Sequence, residues 1–244
     1  MKFSQLRLVV IASIACLVTA CSGGGDPGNN HDSLAVSPVP KPLPAFELVT
    51  GDASFGGVAA VEAEASSLES SLNQNREDVA LVLPFRELPK SGTFVNWTVY
   101  NTSETLVTAV LFDVTDNSEV AVPISGEVAV TQPEAGYKVI TIRADASAPD
   151  GSHLYVQLIV PDSAMLLNGL SIQEVSNQVF TRVSIGEALA TLHGDELLPG
   201  GRAGVPDRNL EMHVFWADGT SLQHGPRVAF LQAKETGAWI MPSK

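Results

Sequence analysis

The feature of this sequence that most constrains its fold is a series of short apolar segments separated by turn signals. Within several segments apolar and polar residues alternate, as a strand with one buried face requires. Clusters of Gly, Pro, Asn, Asp and Ser separate them at the spacing of about 8–12 residues that is typical of all-β sandwiches and barrels. We therefore predict an all-β antiparallel sandwich with strands at 79–85, 93–100, 105–115, 120–124, 127–131, 137–144, 153–160 and 169–175.

One segment of this region is ambiguous. Residues 58–75, VAAVEAEASSLESSLNQN, have a helix-favouring composition. The same residues could open as a strand with Val61, Ala63 and Ala65 on one face, and periodicity does not decide between the two. We favour the strand because the neighbouring segments are β-rich.

The pattern changes after Ser184. In SIGEALATLHG, Ser184 and Glu187 have capping-box spacing and Gly194 is a stop signal, which predicts one short helix. Two strands are predicted at 210–216 and 227–233, around the turn sequence ADGTSLQHGP. Residues 179–244 are therefore expected to add a small helix-plus-hairpin extension to a sandwich domain spanning 45–178.

The N-terminus has the organisation of a secretory signal. Lys2 and Arg7 precede the uncharged run 8–18, which is shorter than the roughly 20 apolar residues that a bilayer span needs. The residues that follow, Val18-Thr19-Ala20-Cys21, resemble the lipobox of bacterial lipoproteins. The resemblance implies removal of residues 1–20, diacylglycerol on the Cys21 thiol and usually a further acyl chain such as palmitate. The alternative is a plain signal peptide with a chance cysteine.

The composition of residues 21–44 is consistent with a tether. These residues are rich in Gly, Ser, Asn, Asp and Pro and poor in large apolar residues, so they are not expected to form a packed core. Ser22 follows the cysteine, and by resemblance a residue other than Asp there favours the outer membrane. We therefore expect a domain held by lipid in the cell envelope, at the outer membrane.

Charge and cysteine content exclude several classes of function. The formal net charge is −13, and loss of Lys2 and Arg7 with the signal would bring the mature chain to −13 − 2 = −15. An acidic domain repels phosphate backbones, so we expect no nucleic-acid partner. The only cysteines are Cys16, in the predicted signal, and Cys21. The folded part therefore contains no disulfide, cysteine nucleophile or thiolate zinc site.

Three stretches resemble the jelly-roll carbohydrate-binding modules and the galactose-binding-like sandwiches. FELVTGDASFGG at 46–57 is similar to their opening strand and loop, TFVNWTVYNTS at 93–103 to a central strand, and LNGLSIQEV at 167–175 to the final strand. The resemblance implies a jelly-roll sandwich that binds a glycan. By the same resemblance, a structural calcium ion could be held by Glu47, Asp52 and Glu174, since calcium prefers oxygen ligands. No cofactor is required.

Strand alternation defines a candidate ligand face. Val95, Trp97 and Val99 are expected to face the core, and so are the apolar residues of 137–144 and 153–160. If these strands share a sheet, the opposite face displays aromatic rings with amide and guanidinium groups, which suit the C–H faces and hydroxyls of a sugar; the residues are Phe94, Asn96, Tyr100, Arg143, Tyr155 and Gln157. The alternative is an ordinary solvated or covered face.

Two further classes of function remain open. A docking lipoprotein could bind an envelope protein through a free edge of the strand pair at 210–216 and 227–233, with an apolar patch near Trp216, Phe230 or Trp239. An enzyme or metal site would need His193, His213 and an acid in one cleft, although no HExxH, GxSxG or nucleotide-binding motif occurs. We therefore favour a non-catalytic binding module.

Overall fold

The computed structural model describes residues 46–49, 53–54, 60–63, 78–86, 93–100, 106–114, 117–193, 196–198, 208–218 and 221–242. These residues form eighteen strands and no helix, so the predicted all-β class is confirmed. The strands are β1 (Phe46–Val49), β2 (Ala53–Ser54), β3 (Ala60–Ala63), β4 (Asp78–Leu81), β5 (Thr93–Tyr100), β6 (Leu106–Phe112), β7 (Glu119–Ala121), β8 (Gly126–Thr131), β9 (Tyr137–Ser147), β10 (His153–Pro161), β11 (Met165–Leu166), β12 (Ile172–Gln173), β13 (Thr181–Val183), β14 (Ala188–Thr191), β15 (Leu210–Asp218), β16 (Ser221–His224), β17 (Arg227–Ala233) and β18 (Trp239–Pro242).

The strands assemble into three sheets. The largest has ten strands in the order β12-β8-β9-β10-β15-β6-β5-β2, with β13 also paired to β8 and β16 to β15. A five-stranded sheet has the order β1-β17-β18-β3, with β4 paired to β17, and a three-stranded sheet has the order β11-β14-β7. Within the described ranges, no helix is long and apolar enough to cross a membrane.

One hydrophobic core joins the three sheets into a sandwich-like fold. Side chains of all three sheets belong to a single buried cluster. Phe112 of the large sheet packs edge-to-face on Phe230 of the five-stranded sheet, with ring centroids 5.8 Å apart. Phe112 also meets Phe85, which follows β4, at 5.3 Å. Burial of this much apolar surface is the main force that stabilises such a fold.

The C-terminal part of the chain is integral to these sheets. β15 lies between β10 and β6, and β17 pairs with β1 and β4 of the other large layer. The predicted strands at 210–216 and 227–233 are therefore present, but they do not form a hairpin with each other. β15 turns back into β16 instead. The reason is that β15 and β17 carry apolar residues into opposite walls of the same core.

The predicted helix after Ser184 is wrong. The Ser184 backbone N–H does donate to the Glu187 carboxylate at 2.7 Å, as a capping box requires, but the next residues make a turn and not a helix. Gly186 has φ of 88°, which ends any right-handed helix there. The chain continues as β14, because pairing with β7 buries Leu189 and Ala190 in the core.

Two other predictions are confirmed in part. Of the predicted strand at 169–175, only Ile172–Gln173 is a strand, and Asn168 and Gly169 form a turn with positive φ. The ambiguous segment at 58–75 contains the strand Ala60–Ala63, as favoured. The rest of that segment, the predicted signal peptide and the predicted tether lie outside the described residues.

Candidate functional site

The candidate site lies on the face of the ten-stranded sheet that points away from the shared core. Val110, Val156 and Val214 on three of its strands belong to the core cluster. The residues that alternate with them lie on the opposite face, which we call the second face. Directly opposed residues of an antiparallel pair share a face, so the strand register identifies which side chains meet there.

An aromatic and cationic cluster occupies one level of the second face. Register aligns Arg143, Tyr155 and Phe215 on three adjacent strands. The Tyr155 and Phe215 rings are stacked with centroids 5.6 Å apart and planes 8° apart. The Arg143 guanidinium makes an ion pair with Glu127 and lies over the ring of Phe180, 5.4 Å from its centroid. This cluster forms a rigid wall.

The predicted role of Tyr155 as an exposed sugar platform does not fit this wall. Only 5 % of Tyr155 is exposed, and its ring is already stacked on Phe215. Burial raises the pKa of its hydroxyl, and this effect outweighs the lowering by the charge and hydrogen bond of Arg143. Tyr155 therefore acts as part of the wall and stays protonated across the physiological pH range.

A polar row forms the next level of the second face. Register aligns Thr141, Gln157 and His213, so we call these three residues the polar row. The Gln157 side-chain amide donates to the Thr141 hydroxyl at 3.3 Å. All three side chains are half-buried, and they present amide, hydroxyl and imidazole groups from three neighbouring strands.

Glu211 anchors one end of the polar row. Its carboxylate accepts one hydrogen bond from Arg208 Nε at 2.6 Å and another from His213 Nε2 at 2.5 Å. Burial raises the pKa of this carboxyl, but the hydrogen bonds and charges of His213 and Arg208 outweigh burial and lower the pKa from 4.5 to about 2. Glu211 is therefore ionised at every physiological pH.

The ionised carboxylate fixes the orientation of His213. A carboxylate only accepts hydrogen bonds, so Nε2 of His213 carries the hydrogen in this contact. In the neutral ring Nδ1 is then the acceptor, available to a donor such as a ligand hydroxyl. Tyr137 on the neighbouring part of the sheet is under the same influence: burial, Glu134 and then Glu211 raise the pKa of its hydroxyl.

Exposure on the second face increases from its centre towards β9. Phe215 and Ala109 are each only 1 % exposed, whereas Thr141 is half-buried and the Arg143 side chain is 38 % exposed. The half-buried polar row therefore lies between a covered region at β6 and the more exposed Arg143 on β9. Ligand sites commonly have this composition, with apolar walls and a few placed polar groups.

The predicted ligand residues are divided between the two faces of the sheet. Arg143, Tyr155 and Gln157 are neighbours on the second face, as predicted. On β5, however, register sets Asn96 opposite the core residue Val110, so the position of Asn96 belongs to the core face.

Strand alternation places Phe94 and Tyr100 on the same face as Asn96. The expected core positions Val95, Trp97 and Val99 correspondingly alternate onto the second face. The side chains of β5 lie outside the described part of the structure, and a ligand role for Phe94, Asn96 and Tyr100 stays a prediction.

The residues predicted for calcium are not gathered at one sheet. Glu47 lies on β1 of the five-stranded sheet, and Glu174 follows β12 at the edge of the ten-stranded sheet. Asp52 lies outside the described residues. Among the residues whose positions are described, no group of three or more His, Cys, Asp and Glu side chains is arranged to hold a metal ion.

The histidines considered for an enzyme lie on different elements. His193 is exposed and follows β14 of the three-stranded sheet, where its carbonyl accepts from the Ser163 hydroxyl at 3.2 Å. His213 is half-buried on β15 and bonded to Glu211. The acidic partner of His213 therefore comes from its own strand, two residues away, and not from the region of His193.

The docking surface predicted around the C-terminal aromatic residues is wrong. Trp216, Phe230 and Trp239 are exposed by 1 %, 0 % and 1 %, so they form the core and not a surface patch. The strand pair predicted to offer an edge is also paired on both sides in the two sheets.

Sequence reasoning did not select Glu211 and Arg208, although a signal for Glu211 was present. In LEMHVFW, Glu211, His213 and Phe215 alternate with the apolar residues of the core face. That alternation places the three on one face of a strand. The contact with Arg208 could not be read from alternation, because Arg208 precedes the strand.

Comparison with protein-family models, curated proteins and solved structures finds no significant match to this chain.

The charge network at Glu211 predicts that the free energy of unfolding depends on pH. Because the folded-state pKa is lowered from 4.5 to about 2, ionised Glu211 stabilises the fold above pH 4.5, and this contribution is lost as the pH falls towards 2. At about 1.4 kcal/mol per pKa unit, the lost contribution is about 3 kcal/mol. In the Glu211→Gln variant this loss is absent. The free energy of unfolding of both proteins is measured by urea unfolding at several pH values.

The expected result is that the stability difference between wild type and Glu211→Gln shrinks by about 3 kcal/mol between about pH 5 and about pH 2. The exposed Glu235→Gln variant controls for removal of one negative charge. The network would be contradicted if the free energy of unfolding of the wild type exceeded that of Glu211→Gln by the same amount at about pH 5 and at about pH 2.

Proposed function

We propose that this protein is a lipid-anchored, non-catalytic binding protein of the bacterial cell envelope, held at the outer membrane. The support for the anchor is the basic start, the uncharged run at 8–18 and the tetrapeptide Val18-Thr19-Ala20-Cys21. Two or more acyl chains give firm membrane attachment, whereas one gives only marginal attachment. Ser22 supports the outer membrane as the destination.

We propose further that the ligand is rich in hydroxyl groups, as a glycan is, and that it binds at the polar row. The observation that carries this proposal is the alignment of Thr141, Gln157 and His213 beside the rigid wall of Tyr155 and Phe215. An amide, a hydroxyl and an imidazole supply both donors and acceptors for sugar hydroxyls. Because their strands are fixed by the sheet, little ordering is needed on binding.

The electrostatics of Glu211 exclude it from the role of general acid. A general acid must keep its proton near the working pH, and glycosidases raise the pKa of one carboxyl for this purpose. The pKa of Glu211 is instead lowered to about 2 by His213 and Arg208. Its role in this proposal is to orient His213.

The anchor predicts that Cys21→Ala abolishes acylation of the protein. Without the Cys21 thiol no acyl chain can be attached, so radiolabelled palmitate is not incorporated. Cys16→Ala is the matched control, because Cys16 lies in the segment that is removed. Labelling that survives in Cys21→Ala, or is lost in Cys16→Ala, would contradict the anchor.

The binding site predicts that Gln157→Ala and His213→Ala each weaken glycan binding. Each variant removes at least one hydrogen bond, which corresponds to a loss of about tenfold in affinity. The measurement is a glycan-array screen of the mature chain without its lipid, followed by titration of the strongest ligand. Gln232→Ala is the matched control, because Gln232 is half-buried on β17 of the other large sheet.

If Gln157→Ala bound the glycan with the affinity of the wild type, the binding site would not be at the polar row. The absence of any glycan ligand for the folded wild-type chain would overturn the proposed ligand class.

A further inference from the structure

We propose that the loop at residues 172–179 is a membrane-contacting surface, which lies against the bilayer that carries the lipid anchor. This inference rests on the proposed anchor at Cys21. We call the loop, with its exposed side chains Ile172, Val175 and Val179, the apolar loop. It lies at one edge of the ten-stranded sheet, where β12 is the terminal strand.

Exposed apolar side chains are concentrated in this part of the chain. Of the five large apolar residues that are exposed in the described structure, three belong to the apolar loop, and Met165 lies seven residues before it. Val179 is 65 % exposed and Ile172 is 45 % exposed. Scattered exposed apolar residues need no explanation, whereas exposed apolar side chains that are grouped in one loop are a candidate interaction surface.

The apolar loop is held in shape by its own hydrogen bonds. The Gln173 side-chain amide donates to the Val179 carbonyl at 2.9 Å, and the Val179 backbone N–H donates to the Gln173 side-chain oxygen at 2.5 Å. A turn between Glu174 and Asn177 closes the tip, with an N–H to carbonyl distance of 3.1 Å. The apolar side chains are therefore presented by a closed loop, so little ordering is needed when they bind.

The charge distribution favours a lipid surface. The chain carries a net charge of −13, and yet Glu174 is the only charged residue between Asp162 and Arg182. A strongly acidic protein can approach a bilayer closely only through a part of its surface that carries little negative charge. Insertion at the interface is driven by the apolar area that is buried there.

The residue types also favour a bilayer over a protein partner. Protein interfaces depend on Trp, Tyr and Arg side chains that anchor in pockets. The exposed side chains of the apolar loop are aliphatic, and the adjacent Phe180 is engaged by Arg143. A weak aliphatic surface is enough when the protein is already anchored, because tethering raises the local concentration to about the millimolar range.

The chain between the anchor and the fold is long enough to permit this contact. Phe46, the first described residue, is 25 positions after Cys21. At about 3.4 Å per residue this segment can span up to about 85 Å. A domain of about 200 residues has a diameter of about 40 Å, so any side of the domain can reach the membrane.

The test places an environment-sensitive fluorophore on the apolar loop of the full lipidated protein in phosphatidylcholine vesicles. Val179→Cys provides the labelling site, since Cys21 is acylated and Cys16 is removed with the signal. Glu235→Cys, in the exposed turn between β17 and β18, is the matched control. We expect a blue shift at residue 179 and quenching by nitroxide-labelled lipid about twofold or more greater than at residue 235.

A second variant tests the loop itself. Ile172→Ser combined with Val175→Ser, in the Val179→Cys background, should abolish the shift while the protein remains anchored. Equal, weak quenching at residues 179 and 235 would overturn the proposal. A shift that needs an added envelope protein fraction and does not occur with vesicles alone would also overturn it, in favour of a protein partner.

Flotation separates this proposal from the anchor on which it rests. A protein that does not float with the vesicles shows that the anchor has failed. The same labelled chain, expressed from residue 21 with Cys21→Ser so that the thiol at residue 179 is the only one, is then held on nickel-chelating vesicles through an N-terminal histidine tag. Quenching at residue 179 of the tagged chain on these vesicles supports the membrane-contacting loop. Absence of that quenching overturns the proposal.

Discussion

The position of β15 in the middle of the ten-stranded sheet is the constraint on which the rest of the structure depends. Leu210–Asp218 is hydrogen-bonded to β10 on one side and to β6 on the other, and thus joins strands that are distant in sequence. On one face it supplies Leu210, Met212, Val214 and Trp216 to the core. On the other face it supplies Glu211, His213 and Phe215 to the candidate site. Removing β15 would therefore break the ten-stranded sheet between β10 and β6 and would also remove residues of the candidate site.

The two faces of this strand show how a binding surface can be built at little cost to stability. The apolar residues alternate into a shared core, where burial drives folding. The polar residues between them are held by partners in their own sheet, as Glu211 is held by Arg208 and His213. The polar row is consequently rigid before any ligand arrives, and its groups keep acceptors and donors directed away from the core. Fold and proposed function thus depend on one strand register.

Local patterns predicted strands well and long-range pairing poorly. Alternation identified Thr93–Tyr100 to the residue, and it placed Ile140, Ile142 and Val156 in the core. It could not show which strands pair, so β15 and β17 were expected to form a hairpin. The capping-box spacing at Ser184 was real as a hydrogen bond but did not predict the element, because tertiary pairing with β7 outweighed local helix preference. The candidate site was predicted on β9 and β10, where the faces were assigned correctly. On β5 the ligand role of Phe94, Asn96 and Tyr100 stays a prediction, because the face of each position depends on the register with β6. Glu211 was not predicted, because its importance depends on contacts with Arg208 and His213.

Native-state hydrogen–deuterium exchange of residues 210–218 tests this account most directly. Amides of the most stable unit of a protein exchange only through global unfolding, whereas a separable segment exchanges through its own local opening. We expect the β15 amides to be protected to the same free energy as those of Tyr137–Ser147, with the same dependence on denaturant. Fast exchange in β15 while β9 and β10 remain protected would contradict the account. The C-terminal part would then be an independent extension, and His213 and Glu211 would not be part of a preorganised site.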